Sequence, residues 1–126
     1  MSGDDAFVEY LCDLLEPLGE CSARKMFGAY GLHCDDLMIG LVDDGQLFLK
    51  VDEQTKSKFA AAGCAPFVYE GNGTRVEMSY WSAPDAALES FEAMEPWAVL
   101  AQGAAQRHQD AKARKAATET PKAKRR

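Results

Sequence analysis

The chain's conventional reactive chemistry rests on two histidines and four cysteines. His33, Cys34, Asp35 and Asp36 are consecutive, and an imidazole, a thiol and two carboxylates are the donor set of a metal site, or of a thiol nucleophile with its base. The spacing argues against both. Zinc sites pair their ligands closely, as in CxxC, and no CxxC occurs among Cys12, Cys21, Cys34 and Cys64. On a strand, adjacent His33 and Cys34 point to opposite faces, and His108 falls in an exposed helix end. Asp35-Asp36 and Asp43-Asp44 suit turns better than acid–base catalysis. No glycine loop of the phosphate-cradling type is present. We expect no enzyme, no metal and no cofactor. The cysteines read as reduced thiols, Cys12 as a small buried hydrophobe. A redox sensor built on Cys34 and Cys64 is the weaker reading that remains.

Recognition chemistry is better represented. Arg24-Lys25-Met26-Phe27-Gly28-Ala29-Tyr30-Gly31 sets two cations and two aromatics among glycines that bend or thin a strand. One reading makes Arg24, Lys25, Phe27 and Tyr30, with Trp81, a protein-contact surface. The other buries Phe27 and Tyr30 in the core and leaves the cations solvated. Tyr69, Tyr80 and Trp81 form an aromatic group that could stack bases. Stacking platforms sit in cationic grooves, however, and residues 1–106 carry a net charge of −12. Residues 107–126 carry +6. There Lys112, Arg114, Lys115, Lys122, Lys124, Arg125 and Arg126 offer weak, salt-sensitive and sequence-blind contact with nucleic acid. The same run also reads as a solubilising tail that folds back on the acidic body.

The elements that must position these groups follow from periodicity. Phe7, Val8, Leu11, Leu14, Leu15 and Leu18 make one helical stripe, capped by Asp4 or Asp5 and ended by Pro17 and Gly19. A strand over Ser22–Leu32, a turn at Cys34-Asp35-Asp36 and a strand over Leu37–Val42 follow. Asp44-Gly45 then predicts a hairpin to Gln46–Val51, with Val42 opposite Leu47, Gly40 opposite Leu49 and Met38 opposite Val51. Both faces of this meander are apolar, so helices or a second copy of the chain must cover each, and a homodimer is one expectation. Asp52 caps a helix near Glu53–Ala62. A second hairpin joins Phe67–Glu70 to Arg75–Trp81 through Gly71-Asn72-Gly73. A short helix starts at Ser82-Ala83-Pro84-Asp85. A last helix aligns Met94, Trp97, Ala98, Ala101, Ala104 and Ala105, and the segment from Pro121 is expected to be disordered. The expected fold is α+β, with a mainly antiparallel five-stranded sheet in the order α-β-β-β-α-β-β-α-α. Residues 1–106 form the domain and 107–126 the tail.

At 126 residues the chain is one domain by size. Met1-Ser2-Gly3-Asp4-Asp5 is acidic where a signal peptide is basic, and no apolar run reaches the ~20 residues of a membrane span. The expectation is a cytoplasmic protein with no membrane contact.

Five stretches carry a family resemblance: Arg24–Leu32, Leu47–Asp52, Phe59 with Ala61-Ala62-Gly63, Pro66–Tyr69 and Ser79–Pro84. Together, over roughly residues 4 to 106, they resemble the N-terminal domain family of TfoX (Sxy), bacterial regulators of natural competence. The resemblance implies an α+β domain with a five-stranded sheet. It also implies regulation of competence genes alongside the cyclic-AMP receptor protein, with no reaction and no cofactor. The implied partner is a protein, in or near the transcription machinery. Full-length family regulators add a helical C-terminal domain, where this chain has a basic segment of about twenty residues.

Overall fold

The computed structural model describes residues 3–26, 28–71 and 73–124. The first apolar stripe forms helix α1 (Gly3–Leu14), with Val8, Leu11 and Leu15 buried and Phe7, Leu14 and Leu18 packed beside them. Pro17 sits in a 3-10 turn over Glu16–Leu18, where the chain leaves the helix.

Next comes a wholly antiparallel sheet of six strands, not five: β1 (Cys21–Met26), β2 (Ala29–Cys34), β3 (Leu37–Asp43), β4 (Gln46–Lys50), β5 (Pro66–Gly71) and β6 (Thr74–Ser82). Their spatial order is β1-β2-β3-β4-β6-β5. The expected single strand over Ser22–Leu32 is two strands, because Gly28 takes φ 80° and turns the chain so that Met26 faces Ala29. Only glycine holds that conformation at little cost. The β3–β4 hairpin has the expected register, with Val42 opposite Leu47, Leu41 opposite Phe48 and Gly40 opposite Leu49.

One irregularity decides which residues face inward. Leu32 pairs with Gly40 but His33 pairs with Met38, so Ile39 is the extra residue of a bulge in β3. Ile39 and Val42 both reach the core, although they differ in strand parity.

The helix order also departs from expectation. Helix α2 (Lys56–Ala61) starts later than Glu53, because the Asp52 carboxylate takes the Gln54 N–H (3.0 Å) and Thr55 Oγ1 takes the Asp52 N–H (3.1 Å) in a turn ahead of it. The short element after Pro84 is a 3-10 helix, Asp85–Glu89. A single helix follows, α3 (Phe91–Lys124), so the observed order is α-β-β-β-β-α-β-β-α. The backbone of α3 stays helical through Lys124, further than its apolar stripe extends.

Helices α1 and α3 cover one face of the sheet. Leu32, Ile39, Val42, Leu49, Val51 and Met94 are fully buried between these layers, and Ala98, Ala101 and Ala105 let α3 lie close to the strands. Phe59 of α2 meets Trp97 edge-on at 5.0 Å. Among the described residues the other face carries no helix. Instead β5 and β6 run past the end of β4 as a ribbon, which brings the Phe67 ring to 4.9 Å from Phe48. Among the described residues no helix is long and apolar enough to cross a membrane.

Candidate functional site

Directly opposed strand residues share a face, and this rule sorts the expected contact residues. Lys25 lies opposite Tyr30, whose hydroxyl donates to the Asp5 carboxylate of α1; both therefore belong to the helix-covered side. Arg24 lies opposite Gly31, which lies opposite Leu41, on the helix-free side. Trp81 lies opposite Leu49 and packs against the core, with β2, β3 and β4 between its strand and β1. Phe27 is outside the described residues. The structure thus brings Lys25 and Tyr30 together, puts Arg24 behind them and leaves Trp81 well apart.

What the sequence reading missed lies on the helix-free face. Met38, Leu41, Phe67, Tyr69, Met78 and Tyr80 line an apolar groove of ≈ 340 Å³. That volume is at the lower end for ligand and peptide sites. The alternation of Val76, Met78 and Tyr80 was the available signal. It marks the groove side of β6, not the side under the helices.

A second depression shares Met38 and Tyr80 with the groove and has a different character. Its ≈ 290 Å³ are lined by His33, Asp36, Lys50, His108 and Lys112 among others. Lys50 is 6% exposed; its Nζ donates to Ser79 Oγ (2.8 Å) and stands 5.0 Å from the centre of the Tyr80 ring. Burial pulls the Lys50 pKa down, Asp52 opposes that, and the charge of Lys112 reinforces it. Burial also raises the Tyr80 phenol.

The thiols are organised differently from the expectation. Cys34 is buried directly across from Cys21, whose thiol donates to the Leu15 and Gly19 carbonyls at 3.8 and 3.7 Å. Cys64 lies after α2, next to Ala65, whose N–H donates to Ser82 Oγ at 3.1 Å. Burial above all, then the Cys34 hydrogen bond and charge, push the Cys21 thiol up to about 12. Among the described residues no group of three or more His, Cys, Asp or Glu side chains could hold a metal ion.

Of the basic tail, Lys112, Arg114 and Lys115 are exposed on α3. Lys122 and Lys124 continue the helical backbone, and Arg125 and Arg126 lie outside the described residues. Arg107 is tied to the body, its Nε and Nη2 donating to the Asp52 carboxylate at 2.6 and 3.1 Å.

Residues 13–105 match the family described as the TfoX N-terminal domain. The chain is 29% identical over 77 residues to the DNA transformation protein TfoX1 of Aliivibrio fischeri, covering 61% of this chain and 37% of that protein. It is 28% identical over 74 residues to protein Sxy of Escherichia coli, covering 59% and 35% respectively. The chain thus spans little more than a third of the length of these curated relatives.

Proposed function

This chain belongs to the TfoX N-terminal domain family, and we propose that it is a non-enzymatic regulatory domain acting in competence-type transcriptional control by binding a protein partner. The observation that carries this reading is the apolar groove on the helix-free face of the sheet. Apolar depressions of this kind, which no element of the described residues covers, are characteristic contact sites. The name of the Aliivibrio relative, a DNA transformation protein, supports the process. In this reading residues 1–106 are the regulatory body and the remainder an appended basic segment.

The partner presents apolar side chains to Met38, Met78 and Tyr80. Its rim is basic, because residues 1–106 carry −12. Arg24 extends the contact on the same face; Lys25, Tyr30 and Trp81 contribute through the opposite side or by shaping the sheet. Met78→Lys tests this directly, since Met78 is half-buried and outside the main core. In cells expressing the full chain, the substitution should abolish partner recovery and the rise in competence-gene transcripts, with circular dichroism and Tm unchanged. Transcript levels equal to those of the unsubstituted protein would refute the groove as the working surface.

The exposed cations Lys112, Arg114 and Lys115 favour a second reading, in which α3 holds nucleic acid through its phosphates. The two readings use separate surfaces and are separable by substitution.

A further inference from the structure

We propose that the pocket between one end of the sheet, where β2 and β4 finish, and α3 binds a small oxyanion, a phosphate or a carboxylate, at Lys50. The proposal goes beyond the regulatory reading and does not depend on it. Lysine is rarely this buried without a charged partner. Among the described residues the ammonium meets a hydroxyl, Ser79, and the face of an aromatic ring, Tyr80, neither of which carries formal charge at neutral pH. The carboxylate nearest in effect, Asp52, is occupied by two hydrogen bonds from Arg107. The charge of Lys50 is therefore left with no anion in direct contact among the described residues.

The groups around it add to that deficit. His33 lines the pocket from β2, and its Nδ1 is buried with no hydrogen-bond partner. His108 and Lys112 line it from α3, four residues apart and so on one helix face. Asp36 is the single acidic residue of the lining. Two ammonium groups and one carboxylate, with two imidazoles beside them, leave the lining net positive in a body whose net charge is −12. That contrast excludes a general property of the surface. A lysine 6% exposed in the lining of a depression of ≈ 290 Å³ is reached by a small anionic group and not by a nucleic-acid backbone.

The titratable groups facing the pocket are His33, Asp36, Lys50, Tyr80, His108 and Lys112. The charge of Lys50, then burial and Lys112, lower the His108 pKa below its ordinary 6.5. A bound anion offsets those charges, so anion binding and His108 protonation favour each other, and affinity rises as pH falls towards that value.

The test uses the full chain, titrated with sodium phosphate, sodium acetate and sodium chloride at matched ionic strength, with the ring signals of His33 and His108 followed by NMR. The proposal expects saturable shifts with phosphate or acetate well below the chloride concentration that has any effect. It also expects a several-fold loss of affinity in Lys112→Gln, an exposed position outside the core, and no saturation in Lys50→Met. Preference for phosphate assigns a phosphate ester as the ligand; preference for acetate assigns a carboxylate. Shifts no different from those with chloride, or an affinity unchanged by Lys112→Gln, overturn the site.

Discussion

Gly40 and Cys21 show how much depends on single side chains in this sheet. A Cβ at Gly40 would stand 2.7 Å from the Phe48 carbonyl oxygen of the paired strand, a backbone atom that cannot swing aside. Gly40→Ala should therefore destabilise the fold by ~1–3 kcal/mol through strand displacement, read from urea unfolding; an unchanged midpoint would show that β3 and β4 separate freely. Cys21, with its thiol pushed up to about 12, should react with iodoacetamide at alkaline pH at least about a hundredfold more slowly in the folded chain than in urea. Equal rates would contradict that environment. The thiol arrangement was not legible beforehand for a definite reason. Cys34 has Cys21 for a neighbour only because the chain reverses at Gly28, and a strand continuous from Ser22 to Leu32 puts the two far apart. The groove was misjudged for a related reason: the Ile39 bulge changes which residues of β3 face outward, and periodicity alone cannot locate a bulge.

Between elements, the Asp52–Arg107 pair fastens α3 to the turn that follows β4. Hydrogen bonds from Arg107 hold the Asp52 carboxyl below its ordinary value of 3.8, against the opposing effect of burial. A depressed folded pKa gives stability that is present above about pH 4 and is lost as pH falls through the folded value. Both partners are partly exposed, so solvent screens the gain. Arg107→Gln should lower Tm by a few degrees near neutral pH, and the gap to the unsubstituted chain should close in acid. A gap that stays constant down to about pH 2.5 would assign the effect to packing and not to this charge pair. Much at this scale could be read in advance. Asp44-Gly45 fixed the β3–β4 register, the stripe from Phe7 to Leu18 fixed α1, and the alanines of α3 lie where their spacing put them. The start of α2 and the 3-10 turn at Asp85 escaped because side-chain hydrogen bonds, and not hydrophobic period, set them.

For the molecule as a whole, the motifs from Arg24 to Pro84 pointed to the family that the match over residues 13–105 establishes. Motif spacing survives a miscounted strand, whereas surface use leaves no comparable trace in one sequence. The nucleic-acid reading is settled by duplex binding at two salt concentrations, with the full chain and with Lys112, Arg114 and Lys115 all changed to Gln. We expect weak binding of any sequence, falling about tenfold or more over a fourfold rise in salt and lost in the variant. Binding that ignores salt or survives the three changes would contradict phosphate contact by α3. The continuity of that helix has a consequence for orientation. From Ala105, the last buried position described, to Lys124 the axis advances roughly 28 Å, several times the Debye length of about 8 Å at physiological ionic strength. The far end of this helical backbone thus lies beyond the screened reach of charges on the acidic body. The chain behaves as an electric dipole, and a polyanionic surface exerts a torque on it, turning the helix end forward before any contact is made.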